Sequence, residues 1–295
     1  MQLLSRKDFL IHSALYAGGT FLLGSMQACS SSDVNNHQIG LQLYTLRNQI
    51  EEQGIANILK KVAAIGYNEV ETFSYSNEGI FGVSPGEFKK MCDDNGLNIA
   101  SGHYLTGRHD ASMSGTLNNG WKQAIEDANT MEQKNMVIAW LHPSERESLE
   151  QYKELTDMLN NAGSECAKAG IQFAYHNHDF EFEEMANTVP YDLLLEQTDE
   201  ENVKMELDLY WIVKAGHDPV SYFKKHNGRF PLWHVKDMDE ETGNFTEVGN
   251  GVIDFEEIFG ARKKAGLEHY FVEQDVSDHP LKSIEISYGN VKKLI

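Results

Sequence analysis

The sequence predicts an α/β fold, specifically a (β/α)8 TIM barrel. Two observations lead to this prediction. Short apolar segments alternate eight times with amphipathic helical patterns, and 295 residues are enough for one barrel of ordinary size. The alternative is an open, doubly wound sheet, but neither a G-x-G-x-x-G after the first strand nor a P-loop is found. The barrel is therefore favoured.

The elements follow one another with short connections and recognisable helix ends. Ser84, Pro85 and Glu87 form a capping-box start, and Gly66 and Gly170 end helical patterns. The predicted strands are residues 39–45, 69–73, 98–103, 136–141, 170–179, 203–208, 230–235 and 269–273. The predicted helices are residues 55–65, 85–96, 120–133, 144–169, 190–197, 219–226, 255–265 and a last one from about 280.

The N-terminal segment has the pattern of an export signal. Arg6 and Lys7 precede an apolar stretch that is too short to be a stable membrane anchor, and Cys29 follows Met-Gln-Ala as in a bacterial lipoprotein cleavage site. The alternative is an N-terminal helix of the domain. We expect an exported protein, periplasmic or anchored in the outer membrane through a lipid on Cys29. The predicted organisation is an export signal at 1–32, a tether at 33–37 and a catalytic barrel at 38–295.

Composition excludes some partners. The chain has an ordinary 41% hydrophobic content, but its formal charge is −20, and no basic cluster stands out. Such a charge repels nucleic-acid phosphates, so nucleic acid is a poor partner. We expect a small-molecule substrate and a membrane contact only through the lipid anchor; the sequence does not predict an oligomeric state.

Four successive predicted strands end in groups that can bind a metal. They end at His176, Asp208, His234 and Glu273, which are separated by 32, 26 and 39 residues, about one strand–helix unit each. Singly, such residues cap helices or bind loop carbonyls. In a barrel, however, all these strand ends open on one face, where imidazole and carboxylate groups together can hold a divalent ion.

Several longer motifs, spread from residue 39 to the C-terminus, resemble one family. They are I-G-L-Q-L-Y-T-L-R (39–47), Y-H-N-H-D-F-E-F (175–182), E-L-D-L-Y-W (206–211), G-R-F-P-L-W-H-V-K-D (228–237), G-N-G-V-I-D-F (249–255) and V-E-Q-D (272–275). Together they resemble the xylose-isomerase-like TIM-barrel superfamily of sugar isomerases, epimerases and related lyases. They do not select one reaction.

The resemblance implies one divalent ion, often manganese, with magnesium, cobalt or zinc as alternatives. It assigns Asp208, His234 and Glu273 as ligands. The fourth ligand of the family is usually a glutamate that opens an E-N-H triplet; here the triplet is H-N-H, so His176 takes that place. The replacement removes one negative charge from the ligand set, which should make the ion a stronger Lewis acid.

The resemblance also implies that a proton is removed next to a carbonyl of a carbohydrate. Glu273, a metal ligand, is the expected base, and Lys236, His178 and His103 are candidates for the second proton transfer. We expect Glu71, Trp211 and Asp237 to contact the substrate. Aromatic residues near the strand ends can form walls that stack on a sugar; they are Tyr44, Phe73, Tyr104, Trp140 and Trp211.

The predicted function is a metal-dependent isomerase or epimerase of a non-phosphorylated sugar or keto-sugar. A lyase or dehydratase that performs β-elimination on a keto-sugar or keto-glycoside is the first alternative, because a histidine in place of a family glutamate weakens two-face epimerisation. An inactive exported sugar-binding protein is the second alternative. An apurinic endonuclease, also a member of the superfamily, is disfavoured by the acidic charge.

Overall fold

The computed structural model describes residues 38–295, which form a closed barrel of eight parallel strands. Each strand pairs with its neighbours in sequence, and the first strand pairs with the last. This confirms the predicted fold class. The strands are β1 (Gly40–Gln42), β2 (Glu69–Thr72), β3 (Asn98–Leu105), β4 (Asn135–Trp140), β5 (Gln172–His176), β6 (Val203–Asp208), β7 (Leu232–Val235) and β8 (His269–Val272).

Helices connect successive strands. They are α1 (Arg47–Gln53), α2 (Ile55–Ile65), α3 (Pro85–Asp94), α4 (Trp121–Thr130), α5 (Leu149–Lys168), α6 (Pro190–Gln197), α7 (Leu209–Lys214), α8 (Pro219–Lys225), α9 (Phe255–Gly260), α10 (Arg262–Ala265) and α11 (Pro280–Leu294). Short 3-10 turns cover Leu43–Leu46, Pro143–Glu145 and Phe180–Phe182. Among the described residues, no helix combines the length and apolar character needed to cross a membrane.

Several predicted boundaries differ from the structure, two of them for identifiable local reasons. The first strand ends at Gln42, because the Gln42 side-chain oxygen accepts from the Tyr44 N–H and starts a 3-10 turn. The long helix begins only at Leu149, where Ser148 and Gln151 form a capping box. The fifth strand stops at His176, within the predicted range of 170–179. The predicted signal and tether, including Cys29, lie outside the described residues.

The barrel interior is filled by a small apolar layer. It consists of the buried residues Ala100, Val137, Ala174, Leu232 and Phe271. Gly40 makes room for it, since a Cβ there would lie 2.4 Å from Cδ1 of Phe271. Successive side chains alternate between the two faces of a strand. The residues two positions after Ala174, Leu232 and Phe271 therefore also face the interior, one layer nearer the carboxyl ends of the strands.

Candidate metal centre and active-site cavity

That next layer contains the first group of candidate ligands, called here the outer cluster: His176, Asp208, His234 and Glu273. One ligand atom from each lies within 4.8 Å of the others, and all four side chains are buried. The barrel thus brings together the four residues that the sequence predicted as ligands. Their chemistry, two imidazoles and two carboxylates, suits a divalent transition-metal ion.

The contacts of the His176 ring direct one of its nitrogens, Nε2, toward the outer cluster. Its Nδ1 lies 3.1 Å from the Ala139 carbonyl oxygen, which can only accept, so Nδ1 carries the proton. The Nε2 lone pair then faces Asp208 Oδ2, 3.2 Å away. Burial, reinforced by the nearby charges of His234 and His103, lowers the pKa of His176 well below its usual range. The imidazole of His176 is therefore neutral, as a metal ligand must be. Burial lowers the pKa of His234, but Glu206, Glu273 and Glu71 outweigh it and raise that pKa well above its usual range. His234 would therefore release a proton on binding an ion.

Two buried atoms of the cluster have charged contacts but no well-aligned hydrogen bond, and this tests the fit to a metal. His234 Nδ1 and Glu273 Oε2 lie 2.7 Å apart, yet neither makes a hydrogen bond of acceptable geometry. Buried polar atoms normally make well-aligned hydrogen bonds, so two atoms that do not are suited to a further partner such as an ion. The donor set and these two atoms fit a divalent ion bound by His176, Asp208, His234 and Glu273.

A second group, called here the inner cluster, lies against the first and shares His234 with it. It consists of Glu71, His103, Glu206 and His234, again with atoms within 4.8 Å of one another. His234 Nε2 is 2.5 Å from Glu71 Oε2, and His103 Nε2 is 2.8 Å from Glu206 Oε2. Gln42 also donates to Glu71, over 2.7 Å. These contacts fix the His234 ring so that Nδ1 faces the outer cluster.

Lys236 lies between three carboxylates. Its Nζ is 3.0 Å from Asp208, 2.7 Å from Glu273 and 2.8 Å from Asp275. Burial opposes a charged lysine, but these carboxylates outweigh burial and raise its pKa well above the usual range. Conversely, burial would raise the pKa of Glu273, but Lys236 and His234 lower it to about 2. An anionic Glu273 is suited to bind a cation.

A cavity of about 700 Å³ opens above the clusters. Of the predicted catalytic residues, His103, His178, Lys236 and Glu273 all line it. His178 is held by its backbone N–H, which donates to buried Glu181 over 2.8 Å. Further lining residues are Tyr44, Arg47, Phe73, Ser74, Tyr104, Leu105, Ala139, Trp140, His176, Asp275 and Val276.

Two predicted substrate contacts are not supported by their positions. Glu71 is fully buried and binds His234 and Gln42 rather than facing the cavity. Asp237 is also fully buried; its carboxylate accepts from backbone N–H groups of the 249–253 loop. Both carboxylates therefore have structural partners. Trp211, the third predicted contact, packs beside His178 with the ring centres 5.3 Å apart, and it is partly exposed.

Two further residues belong to the site although they had no predicted role. Glu206 joins the inner cluster, and Asp275 lines the cavity beside Lys236. The signal for Glu206 was present in the sequence, because it lies two residues before Asp208 and strand alternation puts both on one face. The backbone ladder continues one residue past β8, to Glu273, whose N–H donates to the Val235 carbonyl oxygen, but Asp275 lies beyond it, where alternation no longer applies.

A closed parallel barrel with buried imidazole and carboxylate groups at the carboxyl ends of its strands has the arrangement of TIM-barrel enzymes, whose active sites lie at that face. The family model described as "Xylose isomerase-like TIM barrel" matches residues 59–286. The chain belongs to this family.

Relatives and solved structures agree with this membership. The inosose dehydratase of Geobacillus thermodenitrificans is 32% identical over 146 residues, which are 44% of this chain and 48% of that protein. The chain thus aligns with about half the length of this curated relative. A crystal structure of a sugar phosphate isomerase/epimerase from Parabacteroides distasonis is 28% identical, with a TM-score of 0.76, and covers 89% of this chain and 96% of its own. The IOLI protein, solved with a zinc atom, shares the fold at 14% identity, with a TM-score of 0.68 over 87% and 97% of the two chains.

Proposed function

We propose that this protein is a metal-dependent carbohydrate lyase that eliminates water or an alcohol from a keto-sugar. His176, Asp208, His234 and Glu273 would hold the divalent ion. Manganese is the first candidate, and magnesium, cobalt and zinc are alternatives. The buried His234 Nδ1 and Glu273 Oε2 atoms, which make no well-aligned hydrogen bond, support this ligand set.

The observation that carries the choice of reaction is the engagement of both His176 nitrogens. Nδ1 contacts the Ala139 carbonyl and Nε2 faces Asp208, so neither is free to exchange protons with a substrate. Two-face epimerisation needs a proton-transfer group on each side of the substrate. The residue in the place of the family glutamate does not provide one, so epimerisation would depend on His178, Lys236 or His103, and this favours elimination.

The elimination can be written with groups of this chain. A bound divalent ion supplies Lewis-acid polarisation of a carbonyl. A base accepts the proton from the carbon next to that carbonyl, and the C–H electrons form a C=C bond. The C–O bond at the adjacent carbon breaks, and the leaving oxygen takes a proton. Glu273, the predicted base, lines the cavity with His178 and Asp275 as further candidate acceptors, and Lys236 and His103 are the candidate donors.

The names of the relatives support the lyase, and the cavity lining supports a substrate without phosphate. Curated relatives at 26–32% identity are named inosose dehydratases. Apart from histidines, Arg47 and Lys236 are the basic side chains of the cavity lining, and Lys236 is already paired with three carboxylates. A phosphate would find few partners there, so we propose a non-phosphorylated substrate.

An isomerase or epimerase is the second candidate. The similar Parabacteroides distasonis structure bears that name and covers 89% of this chain. The same metal site and the same first proton abstraction would serve both reactions. They differ in whether the proton returns to carbon or a C–O bond breaks.

The test combines metal analysis with product analysis. The purified chain is assayed for bound divalent ions and then incubated with a panel of keto-sugars and keto-glycosides in D₂O. Loss of water or an alcohol supports the lyase, whereas deuterium at one carbon without bond cleavage supports the epimerase. A protein that neither contains nor binds a divalent ion contradicts both.

Two variants sharpen the test. His176→Glu restores the usual family residue, and we expect it to keep metal and to increase deuterium exchange relative to elimination. His176→Ala should lose metal affinity. If His176→Ala retains full metal content, the assignment of this ligand is wrong.

The cellular location is a separate proposal that rests on the sequence alone. The pattern before Cys29 supports an exported, lipid-anchored protein, periplasmic or attached to the outer membrane. Incorporation of labelled palmitate by the full chain, and its loss in Cys29→Ser, would support the anchor. A full-length protein that remains unlabelled in the cytoplasm would contradict it.

A further inference from the structure

We propose that the cavity contains a second subsite, which binds an aromatic ring attached to the sugar, the aglycone of a glycoside. This inference rests on the proposed function, because the attached ring would be part of the leaving group. It names the substrate class as aryl glycosides in their keto form.

The size of the cavity is the first argument. Its volume is about 700 Å³. One sugar ring occupies on the order of 200 Å³, about seven water volumes of roughly 30 Å³ each. A single ring over the outer cluster would therefore leave most of the cavity to water. A second ring would fill much of the remainder.

The cavity lining combines polar groups with aromatic and apolar side chains. The polar lining includes His178 and, in contact with the outer cluster, Lys236 with its partner Asp275. The aromatic and apolar lining consists of Tyr44, Phe73, Tyr104, Leu105, Trp140 and Val276. Tyr44 and Phe73 contact each other edge to face, with ring centres 5.3 Å apart. Such a wall favours a flat apolar ring over a hydroxyl-rich one.

Two of these apolar lining residues, Tyr44 and Val276, are more exposed to solvent than is usual for large apolar side chains of this protein. Among the described residues, three large apolar side chains are exposed, namely Tyr44 at 39%, Val252 at 49% and Val276 at 65%. Tyr44 and Val276 both line the cavity, whereas Val252 does not. Clustered exposed apolar groups often mark binding sites. Their location at the cavity indicates a ligand that covers them.

Arg47 adds a polar contact to this subsite. Its guanidinium lies 4.3 Å over the Tyr44 ring, and Nη1 donates to the Tyr44 carbonyl oxygen over 3.0 Å. No carboxylate among the described residues forms an ion pair with it, although the chain carries a charge of −20. Its other N–H groups can donate to an oxygen on the bound ring, such as a carboxylate.

The test measures binding of paired probes by calorimetry, with the full chain and with the divalent metal either added or removed by chelator. The pairs are methyl and phenyl β-glycosides of glucose, galactose and mannose. We expect the phenyl member to bind about tenfold more tightly, the size of one good aromatic contact. Equal affinities within each pair, or no binding of any phenyl glycoside, would overturn the subsite.

Matched variants locate the effect. Tyr44→Ser and Val276→Ser should reduce the phenyl preference, while Val252→Ser, an equally exposed site outside the cavity, should leave it unchanged. A 4-carboxyphenyl glycoside should bind more tightly than the phenyl one, and Arg47→Met should abolish that gain. Arg262→Met is the control, because Arg262 also donates to a single carbonyl oxygen at 3.0 Å but lies on α10, outside the cavity. If Val252→Ser and Arg262→Met have the same effects as the cavity variants, the location is wrong.

These outcomes are independent of the proposed reaction. Binding is measured without turnover, so a phenyl preference in a protein that eliminates nothing would contradict the lyase and support the subsite. Elimination that proceeds equally well from methyl and phenyl keto-glycosides, with equal binding, would support the lyase and overturn the subsite.

Discussion

The two ends of the barrel use the same residue types in opposite ways. At the amino ends of the strands, Glu69 and His269 form one closed pair, 2.9 Å apart, beside a hollow of about 210 Å³. At the carboxyl ends, Glu71, Glu206 and Glu273 all contact His234 beneath the larger cavity. Glu69 and Glu71 are only two residues apart on β2. The Glu69–His269 pair is satisfied by its own hydrogen bond, whereas the carboxyl end leaves His234 Nδ1 and Glu273 Oε2 without a well-aligned hydrogen bond and so retains the capacity to bind a cation.

The largest expected effect concerns Asp208, which has two roles. Its Oδ1 caps α7 by accepting from Tyr210 and Trp211, and its Oδ2 faces the outer cluster. Asp208→Asn keeps a cap acceptor but removes the ligand charge. We expect metal affinity, measured by chelator competition, to fall more than about 100-fold, because losing even an outer partner of a ligand costs about 10–100-fold.

The control for this variant is Asp218→Asn, which changes a similar cap at the start of α8, away from the clusters. It should leave metal affinity unchanged. Normal metal affinity in Asp208→Asn would show that the outer cluster does not bind the ion.

The second-largest expected effect comes from removing the buried ammonium group of Lys236 at the carboxyl end of the barrel. Lys236→Met leaves Asp208, Glu273 and Asp275 without their shared cation, and loss of one partner of a buried ion pair costs about 3–5 kcal/mol. We expect the free energy of unfolding of the metal-free protein, measured with urea, to fall by that amount. Added divalent ion should restore much of it, since a ligand that binds only the native state stabilises it.

Lys204→Met serves as the matched control, because Lys204 lies on β6 but only donates to the Glu200 carbonyl oxygen. Added divalent ion should stabilise Lys204→Met no more than it stabilises the wild type. A Lys236→Met protein as stable as the wild type without metal would contradict the assigned charge balance.

The two glutamates of β2 allow a direct comparison of the ends. Glu71→Gln weakens the contact that orients His234, so we expect metal affinity to fall about 10–100-fold. Glu69→Gln should leave metal affinity unchanged and lower the free energy of unfolding by about 1.5–3 kcal/mol, as for a hydrogen bond to a charged group. Chelator competition and urea unfolding measure the two effects. Equal losses of metal affinity in Glu71→Gln and Glu69→Gln would contradict the proposed difference between the two ends of the barrel.

The smallest expected effect is a pH dependence at the amino end. Burial opposes the charged form of His269, but the hydrogen bond and charge of Glu69 outweigh it and raise the His269 pKa; Glu268 and Glu71 act in the same direction. The stabilisation is therefore full below about pH 6.5, the usual histidine value, and is lost as the pH rises through the raised pKa. We expect the stability difference between wild type and Glu69→Gln to be larger at pH 6 than at pH 9. A difference that grows with pH would contradict the pairing.

The sequence by itself determined the barrel and the residues of the outer cluster. Strand alternation and the spacing of His176, Asp208, His234 and Glu273 are local patterns, and a closed parallel barrel has one face on which such strand ends meet. Family motifs added the expected metal and the class of chemistry. Local capping explains why helix and strand ends shifted by a few residues.

Only the tertiary structure decided which partners these residues have. Glu71 and His234 are 163 residues apart and meet across the barrel, so no local pattern shows that Glu71 orients a candidate ligand instead of facing a substrate. The same holds for Lys236 among three carboxylates and for Asp237, which binds a loop. Side-chain partners across a barrel depend on its closure and on the depth of each layer. These are set by all eight strands together rather than by any one of them.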